Sequence, residues 1–213
     1  MDYLPGKLKR RMNIGGYMKD LIVKRIKDSI EVKEKILLNK KLLESIEKSA
    51  FLLIDAIKKG NKVIFCGNGG SAADAQHLSA ELLGKFYIDR KALPSISLTV
   101  NSSVLTAVGN DFSYEKVFIR QLEGIGNKGD ILVGISTSGN SRNIIEAFKY
   151  AQTNEIITIA LTGESGGKLK DYADILINVP SNDTPRIQES HITIGHIICE
   201  IVEKVVFEKA GSQ

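Results

Sequence analysis

The sequence predicts an α/β fold, a three-layer αβα sandwich built on a five-stranded parallel sheet and preceded by a helical lead-in. Three observations carry that prediction. Short β-rich runs alternate with helical segments from residue 62 onward, which is the pattern of consecutive βα units. The first of those runs opens directly into a glycine-rich turn and then a helix. Ahead of them, from about Lys19 to Lys59, apolar residues such as Leu21, Ile22, Ile26, Leu42, Leu43 and Ile46 recur at helical spacing.

Taken in order, the lead-in ends at Gly60 and Asn61, and its first helix carries enough apolar surface to pack either on its own chain or on a second subunit. The expected strands are Lys62–Cys66, Ser95–Leu98, Ile131–Ser136, Ile156–Leu161 and Ile175–Val179. Crossovers between parallel strands are helical and right-handed, so helices should cover both faces and ligand-binding loops should gather at the carboxyl ends of the strands. A last helix, roughly Arg186 to Glu208, follows the turn Pro180–Pro185. Residues 18–213 are expected to form one domain, and residues 1–17 a basic, disordered extension; Met18, just before the helical pattern, is a candidate alternative start.

Composition narrows the function classes. The chain has 213 residues, 43% hydrophobic and 25% charged, and no apolar run approaches the roughly 20 residues that cross a bilayer. No signal-peptide pattern opens it, and its two cysteines, Cys66 and Cys199, are expected to be reduced thiols of a cytoplasmic protein. Net charge is +4, but residues 1–20 hold five basic and two acidic side chains, so +3 of that total sits in the first segment. The body is nearly neutral and lacks aromatics interleaved with basic residues, which argues against a nucleic-acid partner.

Two loops carry candidate chemistry. After the first strand comes Gly67-Asn68-Gly69-Gly70-Ser71, where glycines let backbone N–H groups approach a ligand at a helix start. Gly67, Gly69 and Ala72 also satisfy a dinucleotide-binding pattern, yet the end of the second strand, Ser97-Leu98-Thr99-Val100-Asn101, offers no acidic residue for a ribose. After the third strand comes Ser136-Thr137-Ser138-Gly139-Asn140-Ser141, whose hydroxyls and helix-start amides suit a phosphate dianion. The blander reading is a serine-rich turn with a simple helix cap. No P-loop pattern occurs, so nucleoside triphosphate hydrolysis loses its main support.

His77 and Glu81 stand at i and i+4 on the helix after the glycine loop and can meet at one ligand as an acid–base or metal pair. The last helix adds Gln188, Glu189, His191 and His196. A helical wheel sets His191 about 60° to one side of Gln188 and His196 about 80° to the other, so spacing alone does not choose between them.

The segments Cys66–Ser71, Val108-Gly109-Asn110-Asp111-Phe112, Gly134–Ser141 and Arg186-Ile187-Gln188-Glu189 together resemble the phosphoheptose isomerases, a family of the sugar-isomerase (SIS) fold. The likeness spans nearly all of Lys19 to Phe207. It implies a homotetramer that converts sedoheptulose 7-phosphate to a manno-heptose 7-phosphate for bacterial surface glycans. It implies that Ser136, Thr137, Ser138 and Ser141 hold the phosphate and that Asn68, Gly69, Gly70, Asn110, Asp111 and Gln188 line the sugar. It further implies Glu81 as base, His196 as its partner, and one zinc ion per subunit on His77, Glu81, Gln188 and His196. His191 then becomes a packed helix residue. A relative of a different class, the DnaA-initiator-associating protein, shares the glycine loop and the Arg-Ile-Gln-Glu segment but is not expected to keep a histidine at position 196. A SIS transcriptional regulator would carry a helix-turn-helix domain, which the N-terminal stretch lacks.

Overall fold

Five short runs of mostly buried, β-prone residues pair into one all-parallel sheet: β1 (Val63–Gly67), β2 (Ser95–Ser97), β3 (Ile131–Ser136), β4 (Ile157–Thr162) and β5 (Ile175–Asn178), in the order β2-β1-β3-β4-β5. The coordinates are a computed structural model that describes residues 5–207, with side chains from residue 15 onward. Strands β1 and β3 are buried at every position, as expected of central parallel strands covered on both faces. Their register, Val63 opposite Ile131 through Gly67 opposite Ile135, brings the ends of the two strands level.

The helices are α1 (Pro5–Leu38), α2 (Lys40–Lys58), α3 (Gly70–Leu83), α4 (Ser102–Asp111), α5 (Ile119–Ile125), α6 (Arg142–Thr153) and α7 (Thr184–Phe207), with 3₁₀ turns at Tyr114–Lys116 and Gly167–Tyr172. Alternate strand residues feed two cores. Val63, Phe65, Ile131, Val133 and Ile135 pack under α2, α3 and α7. On the opposite face Ile64, Cys66 and Leu132 pack under α4, α5 and α6. This is the expected three-layer arrangement, with period-two strand patterning sorting side chains to either face.

The strands and the last helix begin and end within one or two residues of their expected positions. Helices α4 and α5 were not anticipated from sequence. Asn39 divides the lead-in, its Oδ1 accepting the Leu42 amide at 3.2 Å as the cap of α2. The backbone of residues 5–17 continues α1 with no break at Met18; the expectation for residues 1–4 falls outside the described residues. Tyr17, Met18, Leu21, Ile22, Val23, Ile26 and Ile30 of α1 are all exposed in the single chain. Among the described residues, no helix is long and apolar enough to cross a membrane.

Strand order fixes where a ligand can sit. From β1 the chain steps to β2 on one side, then returns to β3 on the other, so the crevice of the sheet opens between the carboxyl ends of β1 and β3. The glycine loop leaves β1 there, and the serine loop leaves β3 beside it.

Candidate active site

The glycine loop is shaped by backbone demands. Gly69 lies at φ 56°, ψ −122°, a region that side chains strongly disfavour, and the turn it makes launches α3 from Gly70. The Gln188 amide of α7 lies directly over Gly70, where a Cβ would strike it. Thus Gln188 contacts the loop that the resemblance assigns to the sugar.

In the serine loop, Ser136 Oγ and Ser141 Oγ hydrogen-bond at 2.9 Å. Ser141 occupies the N-cap of α6, yet its hydroxyl makes no cap bond and turns to Ser136 instead. A simple cap would have spent that oxygen on its own helix. The α6 terminus keeps its dipole open to an anion, although the Ile144 amide of its first turn is already taken by Asn143 Oδ1. Gly139, at φ +64°, packs against the backbone of Gly166 and Gly167 with no room for a Cβ. Gly163 N donates to Thr137 O at 2.9 Å and Leu169 N to Gly139 O at 2.8 Å, so the segment after β4 braces the loop. Ser136 is buried, Thr137 and Ser141 half-buried, and Ser138 exposed.

Three side chains from two helices converge nearby. His77 and His196 approach with their Nε2 atoms 2.8 Å apart, and His77 Nε2 lies 3.2 Å from Glu81 Oε1. One ligand atom from each of the three lies within 4.8 Å of the others. With Nε2–H on one ring the contact is an ordinary hydrogen bond; with both protons on Nδ1 the two Nε2 lone pairs and the carboxylate would face a common cation. Two imidazoles and a carboxylate match the donors that bind zinc. The close contact of Gly195 with Leu78 lets α7 lie tight on α3 and bring His196 to His77.

The structure separates the two histidines that the helical wheel left open. His196 joins the cluster, whereas His191 is fully buried with its Nε2 3.0 Å from Thr162 O and its Nδ1 without a partner. Burial lowers the His191 pKa to about 4 against the opposing bond to Thr162, so this ring is neutral.

Asn110 and Asp111 end α4, both exposed, with Asn110 Nδ2 donating to Asp111 Oδ1 at 2.9 Å. Tyr114, just beyond them, donates its hydroxyl to Asn68 Oδ1 at 3.0 Å, so this segment returns to the glycine loop.

Three features escaped the sequence reading. Asp74 has a buried Oδ2 with no partner among the described residues; burial raises its carboxyl above the ordinary range, and His77 and His196 oppose that rise. It stands three residues before His77 on one helical stripe, which was a legible signal. Asn143 of α6 is buried and bonds Asn68. Finally, Glu203 accepts from the Phe86, Tyr87 and Ile88 amides and from Arg90 Nε, and so pins a loop whose Phe86 ring sits 5.6 Å from the His196 ring.

Comparison with known proteins bears on the fold and the family. The sequence profile of the SIS domain matches residues 27–163. A phosphoheptose isomerase of Clostridium acetobutylicum is 57% identical over 190 residues, covering 89% of this chain and 97% of that relative. The solved phosphoheptose isomerase of Neisseria gonorrhoeae superposes with a TM-score of 0.82 at 41% identity, covering 88% of this chain and 99% of that one. That of Francisella tularensis gives 0.84 at 38% identity, covering 88% and 98%. With the sheet order, the two loops and the histidine–carboxylate cluster all in place, the chain belongs to the phosphoheptose isomerase family of SIS-domain proteins.

Proposed function

We propose that this chain isomerises sedoheptulose 7-phosphate to D-glycero-D-manno-heptose 7-phosphate, through an enediol, in the synthesis of bacterial surface glycans. The observation that carries the reading is the meeting of His77, Glu81 and His196 in a chain whose relatives bear the name phosphoheptose isomerase. The phosphate would rest on Ser136, Thr137, Ser138 and Ser141, whose loop presents hydroxyls at a helix start that Ser141 does not cap. Asn68, Gly69, Gly70, Asn110, Asp111 and Gln188 would face the sugar.

Ketose–aldose exchange removes a proton from C1, returns one to C2, and moves a proton from one oxygen to the other. Glu81 serves as the carbon base and acid. His196 shuttles the proton between O1 and O2, with the Phe86 ring tilted against it at 5.6 Å. Each positioned group of this kind contributes about 10²–10⁴-fold. Gln188, lying over Gly70, orients the chain between the two ends.

His77, Glu81 and His196, with Gln188 as a fourth donor, would hold one zinc ion. When bound, the metal would supply Lewis-acid polarisation of the substrate oxygens. Asp74, whose buried oxygen lacks a partner beside the two imidazoles, would favour positive charge there.

The exposed apolar side of α1 supports assembly with further copies, a homotetramer by family resemblance. Two buried free thiols accord with a reducing cytoplasm. His196, present and paired to His77, favours catalysis over the non-catalytic binding module.

The test is incubation with sedoheptulose 7-phosphate, following aldoheptose 7-phosphate by NMR with and without chelator. Product is expected, and less of it after chelation. No product under either condition would overturn the reading in favour of a binding module.

A further inference from the structure

The loops that end β1 and β3 are joined beyond the last strand pair by a reciprocal amide bridge. Asn68 Nδ2 donates to Asn143 Oδ1 at 3.0 Å, and Asn143 Nδ2 donates back to Asn68 Oδ1 at 2.9 Å. Asn143 is the second residue of α6, immediately after the serine loop, and is only 3% exposed. Its orientation is fixed: Oδ1 also faces the Ile144 amide at 3.0 Å, and an N–H there can only donate. On the other side Asn68 Oδ1 takes a second bond, from Tyr114 OH at 3.0 Å. An ion pair between Arg142 and Glu115 at 2.9 Å ties the same helix start to the turn that carries Tyr114.

Accounting for Asn68 shows what the bridge does. Both acceptor sites of its oxygen and one of its two N–H groups are committed to protein, which leaves one side-chain N–H and the loop amides for a ligand. An apolar contact could hold the two loops equally close, but it would not set their rotation. Two mutually satisfied amides, one of them buried, do set it, and the buried one is costly to leave unpaired.

We propose that Asn143 is a positioning residue for the isomerase reaction. Acting through the Asn68 side chain, it fixes the glycine loop that meets the sugar relative to the hydroxyl cradle that meets the phosphate, and Tyr114 reinforces the setting from the solvent side. This rests on the reading that phosphate occupies the Ser136–Ser141 loop.

The experiment compares two probes of different reach. Inorganic phosphate, as a competitive inhibitor, occupies the cradle alone, whereas sedoheptulose 7-phosphate spans cradle and glycine loop. In Asn143→Ala, which removes both bonds of the bridge, kcat/KM for the heptulose phosphate is expected to fall at least about tenfold, the scale of a single buried hydrogen bond. The inhibition constant for phosphate is expected to stay within about twofold of wild type, because the cradle is intact. Asn68→Ala/Asn143→Ala should be no worse than Asn68→Ala, since Asn143 works through Asn68. Tyr114→Phe alters only an exposed residue and should show the same split at about threefold; it decides the matter if Asn143→Ala does not fold. An unchanged kcat/KM, a parallel loss of phosphate inhibition, or independent multiplying effects at 68 and 143 would overturn the proposal. Wild-type enzyme that phosphate does not inhibit would overturn the cradle reading as well, whereas inhibited wild type with a neutral Asn143→Ala would overturn this proposal alone.

Discussion

Glu203 offers the sharpest energetic prediction, because an ionised carboxylate at 1% side-chain exposure is tolerable only while its partners remain. Its burial opposes ionisation, but the amides of Tyr87, Phe86 and Ile88 and the Arg90 side chain outweigh that and hold its pKa below the ordinary range. Arg90, itself 2% exposed, spends its remaining donors on the carbonyls of Glu81, Leu82, Gly84 and Lys91. Glu203→Gln removes the charge and turns an NH₂ group toward a nest of donors. Four bonds to a charged group, at about 1.5–3 kcal/mol each, set an upper bound that non-additivity reduces; breaking one partner of a buried pair costs about 3–5 kcal/mol. For a domain of this size each kcal/mol moves Tm by about 2–4 °C, so the variant should melt about 6–20 °C below wild type. Calorimetry at fixed protomer concentration measures this. Turnover should fall as well, because the loop carries Phe86 against His196. A Glu203→Gln protein melting within about 2 °C of wild type would mean that these partners do not hold a buried charge at position 203.

Two further outcomes are expected. His191, with a folded pKa of about 4 against 6.5 unfolded, makes the unfolded chain bind more protons between those values. Its stabilising contribution is complete above about pH 6.5 and is lost as pH falls toward 4, the loss reaching about 2 kcal/mol at pH 5. His191→Gln should flatten the fall in Tm between pH 7 and pH 5, and an unaltered slope would count against the assignment. Gly139→Ala places a Cβ into the Gly166 backbone at a left-handed φ, so KM for the sugar phosphate should rise and inhibition by inorganic phosphate should weaken. Wild-type values for both would remove Gly139 from the cradle.

Much of the fold was legible because β1 and β3 are nearly continuous apolar runs, the mark of strands covered on both faces, while β4 and β5 are short β-branched, Ile-rich runs. Helices α4 and α5 were not, for a physical reason: at 10 and 7 residues they are too short for their few apolar positions, Val104, Leu105 and Val108 or Ile119, Leu122 and Ile125, to establish a helical period. Within the site, His77 and Glu81 announced themselves by their i, i+4 spacing. The choice of His196 over His191 was hidden, since a wheel does not say which face of α7 meets α3 and which meets the end of β4. Asn143, Tyr114 and Glu203 were invisible for a related reason. Their partners lie 75, 46 and 113 residues away, and only the folded chain pairs them.

The central claim is that a carboxylate from α3 and an imidazole from α7 work on one substrate. Its most direct test is the steady-state turnover of sedoheptulose 7-phosphate by Glu81→Gln, with oligomeric state checked by light scattering. A loss of about 10²–10⁴-fold in kcat with assembly unchanged is predicted. Near wild-type turnover in that variant would contradict the account.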